Sequence, residues 1–113
     1  MRKPGTNEAD VRMSDVLCDF CHREWADDVP MIEGHQGACI CGGCLRFAFS
    51  ALMLERMDMR ADKPMCTMCR EQRDEAMWQS PMHAEAWVCR RCVKLASGVL
   101  HKDADWDWER PTG

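Results

Sequence analysis

Long apolar runs and an excess of basic residues are both missing from this sequence. No stretch of the 113 residues approaches the ~20 consecutive apolar residues of a membrane-spanning helix. The first residues are basic and polar and lack the apolar centre of a secretory signal, so we expect a cytoplasmic, reducing setting. Lysine and arginine number 15 against 19 acidic residues, which disfavours nucleic acid as the main partner.

Sequence patterns of catalysis are missing as well. The chain contains no phosphate-binding loop and no nucleophile elbow. The carboxylates that neighbour histidines in the sequence do not compose an acid–base pair. We therefore predict that the chain is not an enzyme.

Cysteine, in contrast, is abundant, with nine residues in the chain. Divided after residue 60, each half is near the size at which a hydrophobic core is marginal and metals or disulfides are recruited. In a reducing compartment, closely spaced cysteines hold metal more often than they form disulfides, and an odd count fits a complete disulfide framework poorly. We therefore expect the cysteines to support the fold through metal ions.

Eight of the nine cysteines form four C-x-x-C pairs. The pairs are Cys18/Cys21, Cys41/Cys44, Cys66/Cys69 and Cys89/Cys92. The same spacer of 19 residues separates the first pair from the second and the third from the fourth. A fixed period is typical of one structural unit used twice, and apolar residues flanking the pairs repeat as well. The chain therefore reads as an internal duplication.

This spacing is typical of zinc sites in which two tight turns each supply two sulfurs to one ion. Four thiolates leave no open coordination position, so the sites are predicted to be structural and to hold two zinc ions per chain. An iron site of the rubredoxin type and a redox dithiol are the alternatives. The predicted ligands are Cys18, Cys21, Cys41 and Cys44 for one ion and Cys66, Cys69, Cys89 and Cys92 for the other.

In a sequential arrangement, the first and second cysteine pairs bind one metal ion and the third and fourth pairs bind the other. In a cross-brace, the first pair shares an ion with the third pair and the second pair shares an ion with the fourth. Cross-braced folds keep the two middle pairs close, but 21 residues separate Cys44 from Cys66 here. Residues 45–59 also read as a helix, because Leu45, Ala48 and Leu52 recur at helical spacing. Sequential pairing is therefore favoured.

Between the paired cysteines, each copy reads as a short β-hairpin, with strands at residues 29–32 and 38–40 and at residues 76–78 and 86–88. The predicted fold is a small, metal-stapled α+β protein of two tandem treble-clef modules, each a knuckle, hairpin, second knuckle and helix. The predicted boundaries are a flexible segment (1–15), zinc module 1 (16–60), zinc module 2 (61–102) and an acidic, tryptophan-containing tail (103–113).

Three segments of the first module, residues 17–21, 32–34 and 39–45, resemble the N-terminal zinc-binding domain of the ClpX unfoldase. That family has an aromatic between its first two cysteines, here Phe20, an Ile-x-Gly in the hairpin, and an isoleucine before its second pair. The resemblance covers residues 16–55 and, more loosely, 64–101. It implies a treble clef that dimerises and binds adaptor or substrate proteins. The spacer is one residue longer here and no ATPase module follows, so unfolding activity is not carried over.

The first helix is apolar on more than one face, since Phe47, Met53 and Leu54 add to its main stripe. Packing against the sister module, a partner-binding groove and homodimerisation all remain open. If single modules of this type pair, the tandem copy builds an intramolecular pseudo-dimer.

We predict a zinc-binding protein–protein interaction module, an adaptor or regulatory protein for an unidentified partner, linked to a protease or chaperone system by resemblance only. The alternative is a transcription-related zinc finger that binds nucleic acid through Arg90, Arg91 and Lys94 around the last knuckle.

Three further features are left open. Cys39 is read as a small buried strand residue, as a substitute ligand for Cys41, or as a reactive thiol. The tail alternates acids with Trp106 and Trp108, and it either docks on a partner or folds back on its own module. The chain has four histidines, and none of them is needed to complete either zinc tetrahedron. They are His22, His35, His83 and His101.

Overall fold

Two β-hairpins, each followed by a helix, appear in the computed structural model, which describes residues 1–112. Strands β1 (Met31–Glu33) and β2 (Cys39–Cys41) precede α1 (Gly42–Phe49), which continues into a π-helical turn, Ser50–Leu54. Strands β3 (Met77–Gln79) and β4 (Trp87–Cys89) precede α2 (Arg90–Lys102). Both hairpins are antiparallel. The predicted small α+β class with two tandem four-cysteine modules is confirmed.

The same backbone turn closes the first knuckle of each module. The amide of His22 donates to the carbonyl of Cys18 at 2.8 Å, and the amide of Arg70 donates to that of Cys66 at 2.8 Å. His22 and Arg70 both have a φ of 61°, in the left-handed region that bulky residues rarely adopt. The duplication therefore extends to an unfavourable backbone conformation, which the knuckle geometry imposes.

The hairpins differ in a way that the equal spacers conceal. Strand β1 begins ten positions after Cys21, whereas β3 begins eight positions after Cys69. The loop between β1 and β2 has five residues and the loop between β3 and β4 has seven. The two differences cancel, so the spacers are equal in length although their residues are not equivalent throughout. The strands lie within two positions of those predicted.

The first helix ends earlier than the predicted range of 45–59. It begins at Gly42, and its last turn ends at Leu54. Arg56 then adopts a left-handed φ of 54° and turns the chain towards the second module. There the amide of Met59 donates to the carbonyl of Met77 at 3.0 Å, and the Asp58 carboxylate accepts from the Met77 amide at 3.3 Å. Residues beyond 54 therefore leave the helix because they bond to the edge of β3.

One hydrophobic core runs through both modules, and α1 packs against α2. Its largest fully buried aliphatic and aromatic side chains are Phe20, Ile40, Leu45, Leu52, Met77, Val88, Val93 and Leu100. The sister module thus helps to cover the apolar face of the first helix that carries Leu45, Ala48 and Leu52, while Phe47 on another face stays exposed.

Each module also caps the knuckle of the other. The amide of His35, in the first hairpin loop, donates to the carbonyl of Met68 at 2.8 Å. In return, the Ser80 hydroxyl, in the second hairpin loop, donates to the carbonyl of Phe20. Phe20 and Met68 occupy the same position in their two knuckles, two residues after the first cysteine. The contacts between modules are therefore reciprocal, as in a two-fold interface.

The N-terminal end of the described chain lies against the first module, and the C-terminal segment contacts both modules, since the Arg110 amide donates to Nδ1 of His101 in α2 at 3.2 Å. The Lys3 amide donates to the Asp15 carbonyl at 2.9 Å, and Arg2 forms an isolated bridge with Val16. Trp108 is buried, and its indole N–H donates to the carbonyl of Gly42 at 2.9 Å. Within residues 1–112, none of the helices has both the length and the apolar character needed to cross a bilayer.

Candidate metal centres

The first candidate centre joins a knuckle to the start of a helix. Cys18 and Cys21 lie in the tight turn before β1, whereas Cys41 ends β2 and Cys44 lies in the first turn of α1. The four sulfurs all lie within 4.8 Å of one another. Sequential grouping, which the spacing favoured, is therefore the arrangement that the fold produces.

The second centre repeats this construction. Cys66 and Cys69 precede β3, Cys89 ends β4, and Cys92 lies in the first turn of α2, with all four sulfurs again within 4.8 Å. The two centres thus bring together all eight cysteines predicted as ligands, in two groups of four.

The separations between sulfurs suit a tetrahedral zinc ion. Zinc–sulfur bonds of ~2.3 Å give a tetrahedron whose sulfur–sulfur edges are about 3.8 Å. The Sγ atoms of Cys21 and Cys41 are 3.7 Å apart. In the second centre, the Cys66–Cys92 and Cys69–Cys89 distances are 3.8 and 3.9 Å. Each centre therefore has the donor atoms and the dimensions to hold one zinc ion.

Backbone N–H groups point at the sulfurs that are most deeply buried. Cys18 Sγ accepts from the amides of Phe20 at 3.4 Å and Cys41 at 3.3 Å. At the N-cap of α1, Cys41 Sγ accepts from the Cys44 amide at 3.4 Å. Such donors, together with the positive end of the helix, favour ionised thiols. The fold therefore prepares thiolates, the form in which cysteine binds a metal.

Without a cation, four such close sulfurs cannot all ionise. Contact with Cys18 lowers the pKa of the Cys41 thiol to about 2, and the same contact raises the pKa of Cys18 to about 12. Contact with Cys18 also raises the pKa of Cys44. A divalent cation removes this conflict by displacing the remaining protons, so metal binding at the first centre is an exchange of protons for metal.

The second centre behaves in the same way but has an arginine beside it. Contact with Cys89 lowers the pKa of Cys66, and contact with Cys66 raises the pKa of Cys89 to about 12. Contact with Cys69, in turn, raises the pKa of the Arg73 guanidinium. Counted from the first cysteine, the equivalent residue of the first module is Trp25. Only the second of these two positions therefore carries a cation, and this guanidinium also pairs with the Glu71 carboxylate.

Zinc at these centres would be structural. The four cysteines of each group would fill the coordination sphere of the zinc ion, so no position on the ion remains for a substrate. Each ion would cross-link a knuckle to the N-terminus of a helix, over elements of only three to 13 residues. Structural zinc contributes roughly 10–16 kcal/mol in finger peptides at neutral pH, so most of the folding free energy of each module is expected from its metal.

The ninth cysteine lies outside both clusters of the described chain. Cys39 is buried in β2, where burial is the main cause that raises the pKa of its thiol. Its Sγ atom is 3.5 Å from the carbonyl oxygen of Gly37. This is the setting of a small buried strand residue.

Sequence reasoning missed an imidazole pair. The rings of His22 and His83 stack with centroids 3.5 Å apart and planes 14° from parallel. The two residues belong to different modules, so their contact depends on how the modules dock. No signal in the sequence spacing could have found it.

The fold and the two clusters define a pair of zinc-binding modules. The sequence model of the ClpX C4-type zinc finger family matches residues 16–53, which are 38 of the 113 residues. The predicted resemblance is thereby confirmed for the first module, and the second four-cysteine cluster is consistent with a tandem module of the same kind. No curated protein and no solved structure matches the chain.

Proposed function

We propose that this chain is a zinc-dependent adaptor or regulatory protein whose two treble-clef modules form an intramolecular pseudo-dimer and bind another protein. A pair of equivalent apolar grooves at the junction of the modules carries this proposal. Each groove combines the helix of one module with the hairpin loop of the other.

Groove A presents the most exposed aromatic side chain of the protein. Phe47 of α1 is 71% exposed, and Met82 of the second hairpin loop is 66% exposed. Trp78 and Pro81 complete the wall opposite α1. Apolar side chains that are exposed side by side along a groove commonly mark an interaction site.

Groove B is the counterpart of groove A on the other side of the junction. Leu95 and Val99 of α2 are 55% and 59% exposed, and Ile32 and Met68 line its floor. Leu95 occupies the position of Phe47 in its helix, three residues after the last cysteine of its module. The same surface is therefore offered twice, and a partner with two apolar segments could engage both.

The size of the grooves favours a protein segment over a small molecule. Groove A encloses about 190 Å³ and groove B about 300 Å³. Small-molecule sites usually range from about 300 to 1,000 Å³ and enclose most of their ligand. Groove A is smaller than this range and groove B lies at its lower end, and both are open to solvent, so each suits one or two apolar side chains of a bound segment.

The match of residues 16–53 to the ClpX C4-type zinc finger supports a partner from a protease or chaperone system. Four-thiolate zinc sites persist in a reducing compartment, which supports action in the cytoplasm.

The test removes one apolar anchor from each groove. Phe47→Ser and Leu95→Ser, alone and combined, would be compared with Met65→Ser, a half-exposed residue outside both grooves. Proteins cross-linked to the wild type in cells would be identified, and their binding measured with purified components at low and high salt. We expect salt-tolerant binding that each single change weakens, the double change abolishes and Met65→Ser leaves intact.

Salt-sensitive binding of DNA or RNA is the outcome that would overturn the proposal. It would require that neutralising Arg90, Arg91 and Lys94 weakens binding while the groove changes have no effect.

A further inference from the structure

A third cluster of metal-ligating side chains lies where the modules meet. His22 comes from the first knuckle, and His83 and Glu85 come from the loop between β3 and β4. One ligand atom from each of the three lies within 4.8 Å of the others. The Nδ1 atom of His83 is 4.0 Å from a Glu85 carboxylate oxygen. None of these residues belongs to the four-cysteine centres.

We propose that His22, His83 and Glu85 form a third metal site, which takes a divalent transition metal ion such as Zn²⁺ and links the two modules. Two imidazoles and one carboxylate are a ligand set that suits zinc and its neighbours. Three protein ligands leave room for water on the ion, so this site differs in kind from the closed cysteine centres.

The backbones that carry the two imidazoles are already fixed. The Ser80 hydroxyl accepts from the amides of Met82 at 3.1 Å and His83 at 3.2 Å, which holds the loop in shape. The same hydroxyl donates to the carbonyl of Phe20, two residues before His22. One serine therefore ties the segments of both histidines together, and only side-chain rotations remain to bring the nitrogens onto an ion.

Solvent can reach the cluster. The side chain of His83 is 26% exposed and that of Glu85 is 77% exposed. An ion can therefore enter and leave without opening the core. The ring stacking observed at 3.5 Å is the arrangement of the two imidazoles before they rotate onto an ion.

The reciprocal position on the other side of the junction lacks this ligand set. Counted back from the last cysteine pair of each module, His35 corresponds to His83 and Gly37 to Glu85. Arg70 corresponds to His22 and cannot bind a cation. The duplication therefore gives one such site per chain, and His35 provides an internal control.

The experiment starts from the full chain with zinc in both cysteine centres. Zinc chloride would be titrated into it by calorimetry, and bound ions counted by native mass spectrometry. The variants are His22→Asn, because asparagine tolerates the left-handed backbone, His83→Ala, Glu85→Gln and the control His35→Ala. Retention of two zinc ions by each variant shows that its cysteine centres are intact.

We expect a third zinc ion in the wild type and in His35→Ala. His22→Asn and His83→Ala should weaken it by at least about tenfold, since loss of even an outer-shell partner typically costs 10–100-fold. In NMR spectra, the ring signals of His22 and His83 should shift on adding zinc while those of His35 and His101 stay in place. Absence of a third ion, or equal binding by the wild type and His22→Asn, would overturn the proposal.

Discussion

Between the first knuckle and the strand before the second cysteine pair, the two modules repeat the same hydrogen bonds. The Asp19 amide donates to the Cys39 carbonyl at 2.9 Å, and the Thr67 amide donates to the Trp87 carbonyl at 2.7 Å. The side chains of Asp19 and Thr67 then accept the return bonds, at 3.0 and 3.1 Å. The carboxylate of Asp19 and the hydroxyl of Thr67 thus accept equivalent hydrogen bonds. The fold around each metal centre therefore needs an acceptor at this position but tolerates different residues.

Away from that frame, the modules differ in what covers them. The first module is covered by the chain ends, with Trp108 seated on Gly42. The second module has the longer helix, whose Leu95 and Val99 remain exposed. Similar metal centres therefore support two surfaces with different neighbours, and single substitutions can test each difference.

The largest effect is expected from removing a metal ligand. Cys41→Ser should abolish zinc at the first centre and unfold that module, a loss on the order of 10 kcal/mol. Cys39→Ser is the matched control, because its hydroxyl can bond to the Gly37 carbonyl and should cost only about 1 kcal/mol. Zinc content by native mass spectrometry and thermal unfolding by circular dichroism distinguish the two. Loss of zinc from Cys39→Ser but not Cys41→Ser would make Cys39 the ligand.

The next effect concerns the tail, whose Trp108 covers the start of α1 in the first module, while its Arg110 amide reaches His101 near the end of α2. Trp108 is 5% exposed, so Trp108→Ala should lower the free energy of unfolding by about 3 kcal/mol, as for other buried tryptophans. Trp106→Ala is the milder comparison, because Trp106 is only partly buried. Hydrogen exchange should speed up at the start of α1 and stay unchanged at the start of α2. Equal effects on both helices would mean that the tail does not act on the first module specifically.

The metal frame could be predicted from the sequence because it is local. C-x-x-C turns and their spacing determine which sulfurs meet, and the two groups of four that they predict are the groups that the structure brings together. The contacts between modules could not be predicted in this way. Trp108 meets Gly42 across 66 positions, and His22 meets His83 across 61, and such contacts depend on the docking of finished modules.

Equal spacers also gave a misleading alignment inside the hairpins. Counting back from the second cysteine pair matches Ser80 with Ile32, whereas the register of the strands matches Ser80 with Gly34. The hydrogen bonds agree with the register, because the Gly34 amide donates to the Ala38 carbonyl just as the Ser80 amide donates to the Ala86 carbonyl. In the second module, the segment before the first strand is two residues shorter and the hairpin loop is two residues longer, so the total length of the spacer is unchanged. Register is set by pairing between strands, which a count of residues does not contain.

Smaller effects are expected where the modules touch through backbone. A Cβ atom on Gly34 would lie 2.5 Å from the carbonyl oxygen of Met68 in the other module. Gly34→Ala should therefore force the modules apart and cost about 1–3 kcal/mol. Gly43→Ala is the control, since its Cβ would meet only Cys41 Sγ at 3.9 Å. Urea unfolding measures both, and a neutral Gly34→Ala would show that the junction yields more easily than its reciprocal hydrogen bonds imply.

The smallest effect should distinguish the two metal centres themselves. Arg73 lies beside Cys69, and because the sulfurs of a zinc-loaded centre are already thiolates, its positive charge lowers their basicity and with it their nucleophilicity. In the zinc-loaded chain, iodoacetamide should therefore modify the cysteines of the first module faster than those of the second. Arg73→Gln should speed up modification of the second module by a few-fold, whereas Lys94→Gln, an exposed residue with the same charge change, should not. Peptide mapping over time measures the rates. If the second module of Arg73→Gln is modified as slowly as that of the wild type, the burial of Cys66, Cys69 and Cys89, and not the charge of Arg73, protects that centre.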